Sequence, residues 1–159
     1  MADAEVLSVI KFDLTMSSPV NVIIDTVRDW AIARDDVRPM ALAGSWARGN
    51  ARAESHIDVL LLTDRMEEYQ ASKKWLDEID FAHAGYRIEF SEGAAYGSAW
   101  SQHIHLLPRA EVELTFANCN WASSAPLDAG TRRIVSDGFR ILFDKDGQLA
   151  KLILAVTSA

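Results

Sequence analysis

Between Pro19 and Arg34, PVNVIIDTVRDWAIAR, apolar residues recur at helical spacing: Val20, Ile23, Ile24, Val27, Trp30 and Ala31. The stretch predicts a helix, with Ser18 placed to cap it and Pro19 suited to its first turn. Pro39 to Ala43, PMALA, is a short apolar run that stops at Gly44, the pattern of a buried strand entering a tight turn, with Ser45 capping the next element. His56 to Thr63 reads as a central strand apolar on both faces. Asp64 to Ala84 is charged but keeps Tyr69, Trp75, Leu76 and Ile79 for packing, which predicts a second helix. Beyond Gly85, the runs YRIEF, SAWSQHIHLL and AEVELTFA predict three strands, separated by SEGAAYG and by Pro108-Arg109. The tail predicts a loop from Pro126 to Gly130, a short helix from Thr131, the strand RILFD, a turn at Lys145-Asp146-Gly147 and a last helix from Gln148.

With 159 residues, nearly half of them apolar, the chain is expected to form one domain, residues 1–159, with a core of about 19–117 and a C-terminal extension over 118–159. Sixteen Lys and Arg against 23 Asp and Glu give a formal charge of −7, the wrong sign for gripping nucleic-acid phosphates, so no nucleic acid is expected as a partner. The single cysteine, Cys119, has no partner for an internal disulfide, and no Cys/His spacing suits zinc, which favours a reducing compartment. The start MADAEVLSVIKFD lacks the basic residues and long apolar run of a secretory signal, and no apolar run approaches the ~20 residues needed to span a bilayer. A cytoplasmic protein with no membrane association is expected.

The candidate chemistry begins at Gly44-Ser45. A glycine ending a strand and a serine opening a helix leave backbone N–H groups and a hydroxyl directed at one spot, where an anion is favoured. Most Gly-Ser pairs are plain helix starts, so the neighbours decide. Period-2 geometry puts residues 56 and 58 on one face of their strand, and a carboxylate there, Asp58, is costly unless paired or bound to a metal. Glu111 and Glu113 alternate with Val112, Leu114 and Phe116 in a later strand. If both strands of that hairpin bury their apolar faces, the loop must have an odd length, such as Pro108-Arg109-Ala110, which sets His105 opposite Glu113. One polar face then carries His103, His105, Glu111 and Glu113. A merely solvated sheet face explains the histidines and Glu111 equally well; Glu113, in mid-strand, has the stronger claim.

Gly44-Ser45, ten intervening residues, His56-x-Asp58 and the later carboxylate in Val112-Glu113-Leu114 resemble the nucleotidyltransferase superfamily with its DNA polymerase beta-like fold. Within it the chain is most similar to the kanamycin-type enzymes and the minimal nucleotidyltransferase antitoxins. The resemblance is strong over residues 39–63, reasonable to 117 and loose beyond, and it includes the Ala-Arg-Gly after Trp46 and the aliphatic run VLLL. It implies an α/β (α+β) nucleotidyltransferase fold, a mixed sheet with helices packed on one face. It also implies a site in which Gly44 and Ser45 hold the phosphates of a nucleoside triphosphate such as ATP, and Asp58 and Glu113 hold magnesium, with manganese as the softer substitute. Hard oxygen ligands suit magnesium, and two cations clamp the attacking and leaving oxygens of an in-line displacement. Arg48 and Arg52 would add positive charge beside the phosphates, although each is more often an exposed arginine.

The family pattern has Asp-x-Asp where this chain has His56-Ile57-Asp58. The imidazole at the first catalytic and metal position lacks the negative charge and the bridging oxygen. A disabled relic, a site retuned to manganese or another softer ion, and a chain altered for study all remain open, as does a protonated His56 touching a phosphate oxygen. The implied activity is transfer of a nucleoside monophosphate to a hydroxyl of a small molecule or protein; the alternative is a catalytically inactive nucleotide- or partner-binding relative. A weaker third reading is a metalloprotein using His56, Asp58, His105 and Glu113, whose spacing matches no zinc signature. Kanamycin-type relatives add a helical domain that supplies acceptor contacts and the base. Residues 118–159 leave no room for one, so a homodimer, a partner protein or the polar sheet face would complete the acceptor site, with Glu89, Glu92 and Glu111 as candidate bases. Trp46, Trp100 and Trp121 are candidates for stacking against a ligand, Trp46 foremost, and Tyr96-Gly97 for a lip over the pocket.

Overall fold

The computed structural model describes residues 18–158; the start MADAEVLSVIKFD, with its expected lack of a leader, lies outside the described residues. Helix α1 (Pro19–Ile32) follows the helical pattern, and the Ser18 hydroxyl caps it by accepting from the Asn21 N–H. Strand β1 (Val37–Ala43) enters the short helix α2 (Gly44–Arg48), and strand β2 (Ile57–Thr63) comes after a loop. Ser45 is not the cap of α2: Ala43 holds that position without a side-chain bond, and Ser45 already lies inside the helix.

The long helix expected over 64–84 is broken into α3 (Met66–Ala71) and a 3-10 turn (Lys74–Glu78). Tyr69 and Trp75 are six residues apart, which an unbroken helix would turn to different faces. The break lets both pack on the core, and the Trp75 indole donates to the Tyr69 carbonyl at 2.9 Å, serving a backbone group left open by the helix end.

Strand β3 (Arg87–Tyr96) runs through the segment SEGAAY, read from sequence as a loop. It pairs with β4 (Ala99–Leu107) across a two-residue turn at Gly97-Ser98. Gly93 makes the long strand feasible, since a Cβ there would lie 2.9 Å from the Trp100 indole nitrogen. Strand β5 (Ala110–Ala117) returns beside β4 with Leu106 opposite Ala110. The loop is therefore odd, as burial of the apolar faces requires, but it comprises Leu107-Pro108-Arg109. This places Glu111 opposite His105 and Glu113 opposite His103, two residues away from the expected pairing. After a 3-10 turn (Cys119–Ala122) come α4 (Ala129–Ser136), β6 (Phe139–Asp144) and α5 (Gln148–Thr157).

The six strands form one sheet in the order β3-β4-β5-β2-β1-β6, with β2 and β5 parallel and the other pairs antiparallel. This is the expected mixed α/β architecture, with one addition: helices lie on both faces instead of one. Met40, Leu42, Val59, Leu61, Val112 and Leu114 pack on one side with α1 and Tyr69, while Ala41, Leu60 and Leu62 meet Leu149 and Leu152 of α5 on the other. Alternation along β1 and β2 forces this, because both strands are apolar on successive residues. On that second side β4 and β5 present His103, His105, Glu111 and Glu113, which the apolar helices do not cover.

Candidate active site

Asp58 and Glu113 are register partners on the parallel strands β2 and β5, so their side chains rise side by side from the second face. Burial, then the charge of Glu113 and a hydrogen bond shared with it, push the Asp58 carboxyl up to about 6, while His56 and Arg48 pull the other way. Asp58 therefore keeps its proton to higher pH than an ordinary aspartate, because burial and the neighbouring Glu113 charge both disfavour its ionised form. Gly44 lies against it with φ +70°, and a Cβ there would come within 2.6 Å of Asp58 Oδ2. A glycine is required at this turn both by its backbone and by the carboxylate behind it.

The turn itself is partly engaged. The Gly44 N–H donates to the Gly138 carbonyl at 3.2 Å, which ties α2 to the start of β6. The Ser45 and Trp46 N–H groups, in the first helical turn, have no intrahelical acceptor, and the Ser45 hydroxyl has no partner among the described residues. Arg48 donates to the Asp137 carbonyl at 2.7 Å and to Asn50 Oδ1 at 3.3 Å, which holds its charge near enough to act on Asp58. The Arg52 side chain is exposed and contributes to neither network.

Two rows of alternating imidazole and carboxylate cross the open face. In the first, Tyr96 Oη lies 3.5 Å from His103 Nε2, and the same nitrogen lies 3.3 Å from Glu113 Oε1. In the second, Glu111 is held from both sides, by His56 Nε2 at 2.5 Å and His105 Nδ1 at 3.3 Å. His105 continues to Glu92 at 3.8 Å and stacks on Phe90, ring centroids 4.0 Å apart. His56 thus turns to Glu111 and does not join Asp58 and Glu113. The sequence pattern already places His103 on the polar face and marks Glu92 as a candidate base. It misses the pairing of His103 with Glu113 and Tyr96, and of His105 with Glu92 and Phe90, because it cuts the strand carrying Glu92 and Tyr96 short at SEGAAYG and sets the β4–β5 register two residues off.

The tryptophans divide. Trp100 packs against Trp75 and Phe116 in the core, and Trp121 stacks on Phe139 beneath the second helical layer. Trp46 donates its indole N–H to the Ser55 carbonyl at 3.1 Å and lines a cleft of about 660 Å³ at the sheet end where β2 and β5 begin. Glu89 and Glu111 also line this cleft. Tyr96 ends a strand and Gly97 sits in its hairpin turn, so neither belongs to a flexible lip.

As a seat for a divalent cation, the donor set fits in part. Two hard carboxylates lie side by side, and the repulsion that raises Asp58 is the negative charge a cation would neutralise. Among the described residues, no group of three or more His, Cys, Asp or Glu is gathered to hold a metal ion, so neither the three-ligand set with His56 nor the wider His/carboxylate metal site is assembled. No helix among the described residues is long and apolar enough to cross a membrane.

No protein-family model matches the chain, and no curated protein matches it by sequence. Among solved structures, the chain is similar to an aminoglycoside 6-adenyltransferase from Bacillus subtilis, with TM-score 0.54 and 14% identity. The match covers 78% of this chain but 40% of that one. At this identity the likeness speaks to architecture: the chain has the mixed sheet and flanking helices of a nucleotidyltransferase fold.

Proposed function

We propose that this chain is a nucleotidyltransferase that binds a nucleoside triphosphate with Mg²⁺ or Mn²⁺ and transfers the nucleoside monophosphate to a hydroxyl. The observation that carries the reading is the Asp58–Glu113 pair, in register on β2 and β5 and backed by the Gly44 turn. Asp58 and Glu113 would hold the cation, whose chemistry is to neutralise phosphate charge and polarise the reacting phosphorus. The free Ser45 hydroxyl and first-turn N–H groups of α2 would orient phosphate oxygens, and the fixed charge of Arg48 would add to the local positive potential. The acceptor oxygen bonds to the α-phosphorus as the bond to pyrophosphate breaks. The acceptor proton passes to a carboxylate on the open face, where Glu111, two residues from Glu113 on β5, is a candidate outside the pair. The solved neighbour, named for adenylyl transfer to an aminoglycoside, makes a small-molecule hydroxyl the first acceptor class to try, ahead of a protein hydroxyl.

Isothermal titration with ATP, GTP, CTP and UTP, in Mg²⁺ and in Mn²⁺, should find at least one that binds, and Asp58→Asn should abolish the cation-dependent part. Silence with all four nucleotides under both metals would overturn the proposal.

A second reading, a nucleotide- or partner-binding relative without chemistry, is favoured by His56, which stands at the first acid position and is engaged by Glu111. His56→Asp should then raise pyrophosphate release well above the level of the unaltered chain. Equal rates in the two proteins would remove this second reading.

A further inference from the structure

Strand β3 is the outer strand of the sheet on the side away from β6, and no strand among the described residues pairs with its free edge. From Phe90 to Tyr96 it pairs with β4 without interruption, since the register shift falls earlier, between Ile88 and Phe90. A two-residue turn such as Gly97-Ser98 is closed by a pair that exchanges both backbone hydrogen bonds, here Tyr96 and Ala99. Alternation then directs the N–H and C=O groups of Phe90, Glu92, Ala94 and Tyr96 to β4, and those of Ser91, Gly93 and Ala95 outward. Along this stretch the edge carries one charge, Glu92, and has neither the lysine nor the proline that keeps free edges apart. Phe90 and Tyr96 stand 49% and 54% exposed on it. Phe90 is stacked on His105, and Tyr96 Oη lies beside His103, so both rings are oriented on the open face before any partner arrives.

Such an edge is a template for another strand, and this one is complementary to itself. When two copies pair antiparallel about Gly93, Ser91 faces Ala95 and Gly93 faces Gly93, so every outward N–H and C=O of the three residues finds a partner. Phe90 then lies opposite Tyr96 of the second copy, and Tyr96 opposite its Phe90, at the close positions where cross-strand aromatic pairs form. Glu92 lies opposite Ala94. Sliding the second copy by two residues one way sets Glu92 against Glu92; sliding it the other way leaves Phe90 opposite Ser98 in the turn. Charge and aromatic contact thus select one register. We infer that the chain associates as a symmetric dimer through the β3 edge, joining two six-stranded sheets into one. The two-fold axis stands perpendicular to the joined sheet, so the imidazole and carboxylate rows of both copies face the same side. Phe90 of the second copy packs on Tyr96, next to His103. The pairing does not rest on the nucleotidyltransferase reading.

Sedimentation equilibrium of the full chain tests the dimer. The mass should approach twice 17.6 kDa as the concentration rises. Ala95→Pro removes an outward N–H and spares the bonds between β3 and β4, so association should be lost with the circular dichroism spectrum unchanged. Ala94→Glu sets a carboxylate opposite Glu92 of the second copy, at two symmetric places, and should weaken the dimer about tenfold, whereas Ala94→Lys should match or tighten it. Arg140→Glu, exposed on the opposite edge strand β6, should leave the mass unchanged. Should Ala95→Pro fail to fold, the two Ala94 variants decide, because neither removes a backbone donor. A single-copy mass up to about 0.5 mM would overturn the inference. So would a dimer indifferent to Ala95→Pro and Ala94→Glu, equal weakening by Ala94→Glu and Ala94→Lys, or dissociation by Arg140→Glu.

Discussion

Asp58 concentrates the chemistry of this protein in one carboxyl group. Its value of about 6 has burial as the largest cause and Glu113 as the next, so the folded protein binds a proton there more tightly than the unfolded chain, whose aspartate titrates near the usual ~4. Between about pH 4 and 6 the unfolded state has released a proton that the folded state keeps. Stability therefore falls as pH rises through that window and stays lowered above it. Partial solvent screening limits the effect to on the order of 1–2 kcal/mol. Asp58→Asn should thus stabilise the fold by that amount at pH 7.5 and change it little at pH 4, as read from urea midpoints; destabilisation at pH 7.5 would contradict the repulsive pair. Gly44 is the matching backbone residue. Gly44→Ala combines a strained positive φ with a Cβ at 2.6 Å from the carboxylate, and should cost about 1–2 kcal/mol and displace Asp58 from its partner.

At the scale of elements, the site and its anchor occupy opposite ends of β2. Where β2 ends, Tyr69 of α3 accepts from Arg34 Nε at 2.6 Å and donates to Asp36 Oδ2 at 2.6 Å, and Thr63 donates to the same carboxylate oxygen at 2.9 Å. This half-buried knot fastens α3 and the end of α1 to the sheet, with the Tyr69 ring stacked on Phe116 at 4.7 Å. Burial, followed by the bond to Asp36, raises the tyrosine hydroxyl above its ordinary range, so it remains a donor at any physiological pH. Tyr69→Phe removes both bonds and leaves Asp36 with fewer partners, which should destabilise the protein by about 1–3 kcal/mol. Nucleotide affinity should be unaffected, because Thr63 in the knot lies five residues along β2 from Asp58, about 17 Å. A matching loss of affinity in calorimetry would mean that the two ends of the strand are coupled.

Across the whole molecule, function sits where the layering is incomplete. The helices α4 and α5 cover the β6-β1-β2 side of the second face and leave the β4 and β5 histidines and acids to solvent. A net charge of −7 adds to the attraction for a cation at this face. Binding to the folded state alone must stabilise it by mass action, by about 2.7 kcal/mol at a hundredfold excess over Kd. Mg²⁺ or Mn²⁺ should therefore raise the thermal midpoint of the unaltered protein and fail to do so in Asp58→Asn. An equal rise in both proteins would place the cation elsewhere.

The order of residues along the chain dictates those elements whose patterns are local. The helical spacing of Ile23, Ile24 and Val27, the turn at Gly44 and the apolar run into Leu62 are consequences of side-chain periodicity and backbone freedom, which need no knowledge of neighbours. The same locality made Asp58 conspicuous, because a carboxylate in an apolar strand requires a partner. Which group becomes that partner is settled by the folded sheet. The register of β5 against β2 assigns Asp58 to Glu113 and brings His56 to Glu111, and a two-residue shift in the β4–β5 loop moves Glu113 from the expected His105 to His103. The strand through SEGAAY likewise owes its length to pairing with β4 and to the space Gly93 leaves for Trp100. Pairing energy across a sheet is set by residues far apart in the chain, so local pattern reveals which faces exist while the fold alone determines what meets on them.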